Sequence, residues 1–227
     1  MEIIKVWRCF RNSVRLVHDQ FLFRRRKFIV KKIIFFSAIL LVFTIISQIK
    51  YINTNAQTVE GTKFYTVQKG DSLYRIGVKF GVPVNKLRDV NFIKTENVSP
   101  GDKLIIPDSI TDSEKELLAR LVHAEAKGEP YAGKVAVATV VLNRVESKLF
   151  PNTIKDVIYQ KRQFEPVANG TINEHADEDS KKAVMEALAL KGSGKGSLYF
   201  FNPDKTSNKW LRSKEVTTVI GKHRFAK

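Results

Sequence analysis

Residues 117–145 read LLARLVHAEAKGEPYAGKVAVATVVLNRV, and this stretch decides the fold of the C-terminal half of the chain. Leucine and valine recur at helical spacing from Leu117 to Val122, which predicts an amphipathic helix. Asp112 or Ser113 is the expected cap of that helix, Gly128 is expected to stop it, and Pro130 suits the first turn of a second one. The second helix carries small and β-branched residues on every side, so we expect it to be buried on most of its surface.

One acidic residue falls on the apolar side of the first helix. Glu125 is four residues after Leu121 and three after Val122, so its side chain should point along the apolar stripe. Desolvation disfavours a charged carboxylate, and such a group keeps its proton to higher pH, as a general acid must. The alternative is a carboxylate that turns outward or pairs with His123, Lys127 or a later arginine.

Further motifs follow this stretch in a fixed order. They are Gln163-Phe164, Leu198 to Pro203, Trp210, and Ile220 to Phe225. Together with the run at residues 118–145, these motifs carry a resemblance to the SleB/CwlJ family of cell-wall hydrolases. The resemblance covers residues 113–227. The resemblance implies a lysozyme-like, mainly α-helical fold that cleaves peptidoglycan between N-acetylmuramic acid and N-acetylglucosamine. It also implies that Glu125 is the catalytic glutamate, and it leaves open whether spore cortex or vegetative wall is the substrate.

A glycoside hydrolase usually needs a second carboxylate as nucleophile or base. Glu129 is explained by capping at a helix start, Glu165 is another option, and Glu174 and Asp177 are more remote. Because none of them stands out, we expect a lytic transglycosylase. Glu125 would protonate the glycosidic oxygen and then take a proton from the muramic C6 hydroxyl, which leaves a 1,6-anhydro end.

Sugar binding needs aromatic faces and hydrogen-bonding amides. Aromatic rings more often belong to a core than to a cleft, but Trp210 lies in the polar stretch TSNKWLRSK. His223 is either a group that orients the substrate or a histidine bonded to the backbone. The candidate substrate-binding residues are Tyr131, Gln163, Phe164, Tyr199, Asn202, Trp210 and His223.

A second pattern occupies residues 64–107, and residues 108–112 after it are expected to form a short hinge. Tyr65 and Val67 alternate as in a strand, two short helical patterns follow, and residues 103–106 form another apolar strand pattern. The predicted order is strand, helix, helix, strand, with Asp71 or Ser72 as the first helix cap. The whole segment resembles a LysM module, which implies a βααβ fold that binds glycans containing N-acetylglucosamine.

The LysM resemblance places the glycan between two loops. By position these are residues 70–73 and 98–101, and the candidate contacts are Gly70, Asp71, Ser72, Leu73 and Ser99. Gly70 and Asp71 are also explained by the needs of the turn and the helix cap.

The N-terminus indicates a membrane segment. Ten of the 39 Lys and Arg residues lie in residues 1–32, and residues 33–49, IIFFSAILLVFTIISQI, carry no charge. A helix of this length rises about 25 Å, the lower limit for spanning a bilayer. The positive-inside rule predicts a cytoplasmic tail at residues 1–32 and an extracytoplasmic remainder after Lys50. The long basic region before the apolar run favours an uncleaved single-pass membrane anchor, and the polar residues 50–63 are expected to be a linker. The alternative is a signal peptide cleaved near Ala56, which would release the protein to the wall or spore.

Composition narrows the chemistry. The net charge of +16 over 227 residues suits an acidic polymer, but no basic stripe interleaved with aromatics indicates nucleic acid. Cys9 is the single cysteine, so the segment after the apolar run has no disulfide and no thiolate nucleophile. His123, His175 and His223 show no zinc-ligand spacing, and we expect neither metal nor cofactor.

The predicted fold class is therefore α+β, with a mainly α catalytic domain preceded by a small βααβ module and one transmembrane helix. The predicted partner is the glycan strand of peptidoglycan. Two alternatives remain at this point: a zinc-dependent amidase or peptidase, and a non-catalytic protein that binds the wall.

Overall fold

The computed structural model describes residues 63–95 and 97–227. The basic tail, the apolar segment 33–49 and the linker up to residue 62 lie outside the described residues. Among the helices that the structure does describe, none combines the length and the apolar character needed to cross a membrane.

Residues 63–106 form an N-terminal module of two strands and two helices. Its elements are β1 (Lys63–Thr66), α1 (Leu73–Phe80), α2 (Val84–Val90) and β2 (Lys103–Ile106). The two strands pair antiparallel, and Lys63 lies opposite Ile106, so β1 begins one residue before the predicted module. The predicted order of strand, helix, helix, strand is confirmed.

Side-chain hydrogen bonds fix the elements of this module. Ser72 caps α1, because its side chain accepts a hydrogen bond from the backbone N–H of Arg75. Gly81 ends α1 in the left-handed conformation, with φ of 63°. The Asn91 side chain binds the backbone N–H and C=O of Ile105, which joins the end of α2 to β2.

Residues 112–226 form a C-terminal domain of six helices and three strands. Its elements are α3 (Asp112–Glu125), α4 (Tyr131–Glu146), α5 (Ile154–Ile158), α6 (Glu165–Asn169), α7 (Glu178–Ala189), β3 (Tyr199–Phe201), α8 (Lys209–Arg212), β4 (Val216–Ile220) and β5 (His223–Ala226). A 3₁₀ turn at Thr171–Asn173 precedes α7. The strands form an antiparallel sheet in the order β3-β5-β4.

Helices α3, α4 and α7 supply most of the buried core of this domain. Leu118, Leu121 and Val122 of α3 are fully buried, as the helical spacing predicted, and Val137 and Val141 of α4 pack in the same core. Every side of α4 carries buried residues, as its composition predicted. The domain is therefore mixed helix and sheet, with its core among the helices.

The start of α3 is held by a capping box one residue earlier than the sequence indicated. Thr111 accepts a hydrogen bond from the N–H of Glu114, and the Glu114 carboxylate accepts one from the N–H of Thr111. The sequence favoured Asp112 or Ser113 as the cap, but both lie inside the helix or its first turn. The reciprocal bond with Glu114 satisfies two backbone donors, so Thr111 makes the more complete cap.

The hairpin between β4 and β5 is fastened to the start of α4. The Glu129 carboxylate accepts a hydrogen bond from the backbone N–H of Lys222 at 3.0 Å. Gly221 has φ of 56°, and a side chain there would collide with Glu129. This contact fixes β5, and with it His223, against the helical part of the domain.

Candidate active site

Glu125 is the last residue of α3 and lines a cleft of about 980 Å³. Burial, and after it the nearby carboxylate of Glu165, raises the pKa of Glu125 to about 7, while Arg144 opposes this rise. The carboxyl group can therefore carry a proton near neutral pH and face a substrate at the same time. Six of the predicted site residues share the cleft with it: Gln163, Phe164, Tyr199, Asn202, Trp210 and His223.

Arg144 lines this cleft, although the sequence analysis did not single it out. It is 5 % exposed and donates from Nε to the carbonyl of Leu198 at 2.7 Å and from Nη1 to Gln163 Oε1 at 3.2 Å. Its guanidinium lies 4.8 Å from the ring centre of Phe150 and 5.3 Å from that of Phe164. The sequence signal was a charge within a helix otherwise predicted to be buried.

The buried guanidinium of Arg144 organises one wall of the cleft. Burial lowers the pKa of Arg144 to about 10, so it remains a cation at neutral pH. Through its hydrogen bonds it joins α4 to the start of β3 and to the loop before α6, which carries Gln163. Arg144 therefore positions Gln163 and supplies positive charge near Glu125.

An aromatic pair forms another part of the wall. Tyr199 and Trp210 meet edge to face, with ring centres 5.1 Å apart, and Lys214 Nζ lies 4.3 Å from the Trp210 ring centre. Trp210 is 54 % exposed, which agrees with its polar sequence context. Phe164 is 5 % exposed and belongs to the core, so only part of its surface is available to the cleft.

His223 presents a buried polar atom beside this wall. It is 8 % exposed, and its Nδ1 has no hydrogen-bond partner among the described residues. Burial lowers the pKa of His223, so the ring is neutral at pH 7. Asn202 also lines the cleft, but its Oδ1 accepts from the N–H of Asp204 at 2.8 Å and is used within its own loop.

The structure corrects the expectation for Tyr131. It does not line the cleft, and its hydroxyl donates to Glu186 Oε2 at 2.9 Å. The other oxygen of Glu186 accepts from the hydroxyl of Tyr74 at 2.8 Å. Tyr131 begins α4, and its hydroxyl points to α7 and not to the cleft that contains Glu125.

The candidates for a second carboxylate have different surroundings. Glu129 is engaged with the hairpin, and Asp177 caps α7 and lies 2.9 Å from Lys134 Nζ. Glu174 and Glu165 line the cleft, and only Glu165 contributes to the raised pKa of Glu125. Glu165 is exposed at the start of α6.

The two predicted glycan loops of the N-terminal module lie side by side. The N–H of Val67 donates to the carbonyl of Asp102 at 2.8 Å, and the N–H of Gly101 donates to the carbonyl of Val67 at 2.9 Å. These bonds extend the β1–β2 ladder up to both loops. An extended oligosaccharide could therefore contact residues 70–73 and 98–101 at the same time.

Most candidate glycan contacts also hold the loops themselves. The Asp71 carboxylate accepts from the hydroxyl of Tyr65 at 2.7 Å and from the N–H of Gln68, and these bonds lower the pKa of Asp71. Ser72 caps α1, and Leu73 is 2 % exposed in the core. Gly70 has φ of 90°, and the N–H of Ser99 donates to the carboxylate of Asp102 at 2.8 Å.

Comparison with known proteins agrees with both parts of this arrangement. The family model described as Cell Wall Hydrolase matches residues 128–226, and the LysM domain model matches residues 65–107. The cell wall hydrolase CwlJ of Bacillus subtilis is 34 % identical over 101 residues, which are 41 % of this chain and 70 % of that protein.

The chain belongs to the cell wall hydrolase family. The spore cortex-lytic enzyme of Bacillus cereus is 42 % identical over 133 residues, 58 % of this chain and 51 % of that enzyme. This chain thus spans about half the length of that relative. An alignment over 58 % of 227 residues must include position 125, although the family model begins at Gly128.

A solved structure supports the fold of the cell wall hydrolase domain. The catalytic domain of the germination-specific lytic transglycosylase SleB from Bacillus anthracis is 42 % identical, with a TM-score of 0.50. The match covers 54 % of this chain and all of that domain. Within residues 63–95 and 97–227, no three His, Cys, Asp or Glu side chains are grouped so that they could hold a metal ion.

Proposed function

We propose that this chain is a peptidoglycan lytic transglycosylase that cleaves the bond between N-acetylmuramic acid and N-acetylglucosamine. The observation that carries the proposal is Glu125, a carboxyl group with its pKa raised to about 7 at the wall of a large cleft. The names of the cortex-lytic relatives and of the SleB domain point to the same chemistry.

The proposed reaction uses Glu125 twice. The protonated carboxyl donates its proton to the glycosidic oxygen as the bond from that oxygen to C1 of the muramic residue breaks. The carboxylate then accepts a proton from the muramic C6 hydroxyl, whose oxygen forms a bond to C1. The product is a 1,6-anhydro sugar, no water is consumed, and Glu125 returns to its protonated form.

The charges around Glu125 fit both halves of this cycle. Burial and the carboxylate of Glu165 favour the protonated form that begins the reaction, and the cation of Arg144 favours the carboxylate that follows. A pKa near the working pH serves an acid that must later act as a base. Gln163, Trp210 and His223 are proposed to bind the sugar rings; Nδ1 of His223, which has no hydrogen-bond partner among the described residues, is one candidate hydrogen-bonding atom.

Digestion of purified peptidoglycan tests the proposal. Wild type, Glu125→Gln and wild type with EDTA are compared, and mass spectrometry identifies the new ends. We expect anhydro ends from wild type with or without EDTA, and a loss of at least about 10³-fold in Glu125→Gln. Reducing ends would show a hydrolase, loss with EDTA a metal-dependent amidase or peptidase, and no wild-type product a non-catalytic wall-binding protein.

The N-terminal sequence is the basis for a proposal about where in the cell the enzyme acts. An apolar segment at residues 33–49 after a basic tail supports a single-pass anchor with the cell wall hydrolase domain outside the membrane. Cell fractionation tests this. The full chain should sediment with membranes and resist extraction by salt, and full-length protein in the salt-soluble fraction would contradict the anchor.

A further inference from the structure

The N-terminal module packs directly on the cell wall hydrolase domain. The contact is made by α1 of the module and α7 of the domain, and it involves close approach of small residues. A side-chain carbon added at Gly77 would lie 3.4 Å from Cβ of Ala189, and one at Gly81 would lie 2.9 Å from Sδ of Met185. Ala189 is 1 % exposed in this arrangement.

One carboxylate on α7 accepts hydrogen bonds from both the N-terminal module and the cell wall hydrolase domain. The Glu186 carboxylate accepts a hydrogen bond from the hydroxyl of Tyr74 in α1 at 2.8 Å and another from the hydroxyl of Tyr131 in α4 at 2.9 Å. Burial and the neighbouring carboxylate raise the pKa of Tyr131, which keeps this donor protonated. The module is thereby joined to two helices of the domain by directional bonds as well as by packing.

The segment between the module and the domain is also held. Ser109 donates a hydrogen bond to the carbonyl of Gly81, and Lys86 Nζ donates to the carbonyl of Asp108 at 3.1 Å. Ile110 packs against the domain core, and Thr111 caps α3. The sequence suggested a short hinge at residues 108–112, but these contacts bind that segment on both sides.

The docked helices connect the glycan loop to the cleft. Tyr74 follows Leu73, the last residue of the first glycan loop, so the contact with Glu186 begins where that loop ends. Along α7, Glu186 lies about 13 Å from Asp177, at 1.5 Å per residue. Asp177 Oδ2 is 3.3 Å from Nδ1 of His123, which lines the cleft beside Glu125.

We propose that the module and the cell wall hydrolase domain form one rigid, two-part substrate site for a single long glycan strand. The docked α1–α7 contact fixes the distance between the sugars held by the module and the bond that is cut. A strand that reaches both parts is held at two points, so its effective concentration at Glu125 exceeds that of a short fragment. The inference rests on the proposed function and adds a preference for long strands with a set cleavage position.

An undocked variant tests the inference in the full-length chain. Met185→Ala and Glu186→Ala are combined with a flexible Gly/Ser segment inserted between Asp108 and Ser109. Rates and product lengths are measured on intact glycan strands and on short soluble oligosaccharides. We expect the rate ratio of long to short substrate to fall at least about fivefold and the product lengths to broaden, while the rate on short fragments stays within about twofold.

Glu178→Ala is the matched control, because Glu178 is an exposed carboxylate on the same helix and pairs only with Lys181 among the described residues. Its rate ratio should equal that of wild type. An undocked variant that keeps the wild-type rate ratio and product lengths overturns the inference and leaves the proposed function intact. A wild type that cleaves neither substrate defeats the proposed function itself.

A covalent lock gives a second, independent measurement. A Cβ placed on Gly77 would lie 3.4 Å from Cβ of Ala189, near the separation of about 3.5–4.5 Å found in disulfides. It would also lie 3.0 Å from the carbonyl of Val82 and from Val84 Cγ2, so the reduced form of the same variant is the reference for any strain. Gly77→Cys and Ala189→Cys are introduced together with Cys9→Ser, and the oxidised protein is compared with its own reduced form. We expect the oxidised and reduced forms to cleave long strands at equal rates within about twofold. A rate more than tenfold lower in the oxidised form alone would mean that the module must move away from the domain during the reaction, and would overturn the inference.

Discussion

The carboxyl group of Glu125 combines two properties that normally exclude each other, since it is withdrawn from water yet lies on the wall of an open cleft. With a pKa of about 7, it is mostly protonated below that pH and mostly ionised above it. The acid-dependent rate should therefore fall as the pH rises through 7. A pH profile of kcat/KM on peptidoglycan checks this, and a rate that is flat from pH 5 to 9 would contradict it.

The substitution Glu165→Gln distinguishes a lytic transglycosylase from a hydrolase that uses Glu165 as a second carboxylate. The carboxylate of Glu165 raises the pKa of Glu125, so its removal should lower that pKa and move the falling limb of the profile to lower pH. We expect the rate at pH 7 to fall by less than about tenfold, because Glu165 is exposed and acts only through its charge. A loss on the order of 10³-fold would instead identify Glu165 as the second carboxylate of a hydrolase.

Keeping Glu125 partly buried also costs stability. The pKa is raised in the folded state, so the unfolded chain ionises first and stability falls as the pH rises from about 4.5 to 7. Glu125→Gln removes this cost. We expect the variant to be more stable than wild type at pH 8 by roughly 1–3 kcal/mol and equal to it at pH 4. Urea unfolding at both pH values checks the result, and a less stable variant at pH 8 would contradict it.

At the scale of single elements, Asp177 serves the start of α7 in two ways. Its Oδ1 accepts from the N–H of Ser180 at 2.7 Å, and its Oδ2 pairs with the buried Lys134. The hydrogen bonds from Ser180 and from Lys134 hold the pKa of Asp177 well below its ordinary value. Its contribution to stability is therefore present at neutral pH and is lost only in strong acid.

Two substitutions at this position separate the cap from the ion pair. Asp177→Asn keeps the capping oxygen but leaves Lys134 without its counter-charge, which should cost about 1–3 kcal/mol. Asp177→Ala loses both, and we expect about 1 kcal/mol more. Urea unfolding at pH 7 measures the two differences. Equal stabilities of the two variants would show that the cap contributes nothing.

Elements whose hydrophobic pattern repeats over several helical turns could be predicted from the sequence, and short elements could not. The apolar spacing of α3 and the composition of α4 predicted both helices and their burial. The four-residue helix α8 is too short to show a period, and β5 was seen only as a motif. The cap of α3 at Thr111 depends on a reciprocal bond among neighbouring residues that all favour caps.

The same limit explains which site residues were predicted. Trp210 was singled out by a polar context that local sequence reveals, and it is exposed at the cleft. Arg144 and Tyr131 depend on tertiary neighbours, which a single sequence does not show. Arg144 meets Leu198 and Gln163 from distant parts of the chain, and Tyr131 faces Glu186 of α7.

At the scale of the whole molecule, the described residues belong to one compact unit. Tyr74, Gly77 and Gly81 of the N-terminal module contact α7, whose other side forms part of the domain core. Loss of either part would expose apolar surface of the other. The module and the domain should therefore unfold together, in one cooperative transition.

Scanning calorimetry of wild type and of Met185→Ala with Glu186→Ala tests this coupling. Wild type should show a calorimetric enthalpy equal to the van't Hoff enthalpy for one transition. The double variant loses the thioether that lies against Gly81 and the carboxylate that binds Tyr74, so its module should melt first in a separate transition. Two transitions already in wild type would mean that the α1–α7 contact is too weak to hold one strand at both sites. Glu178→Ala, on the exposed face of the same helix, should keep the single transition, because it removes a charge without touching the module.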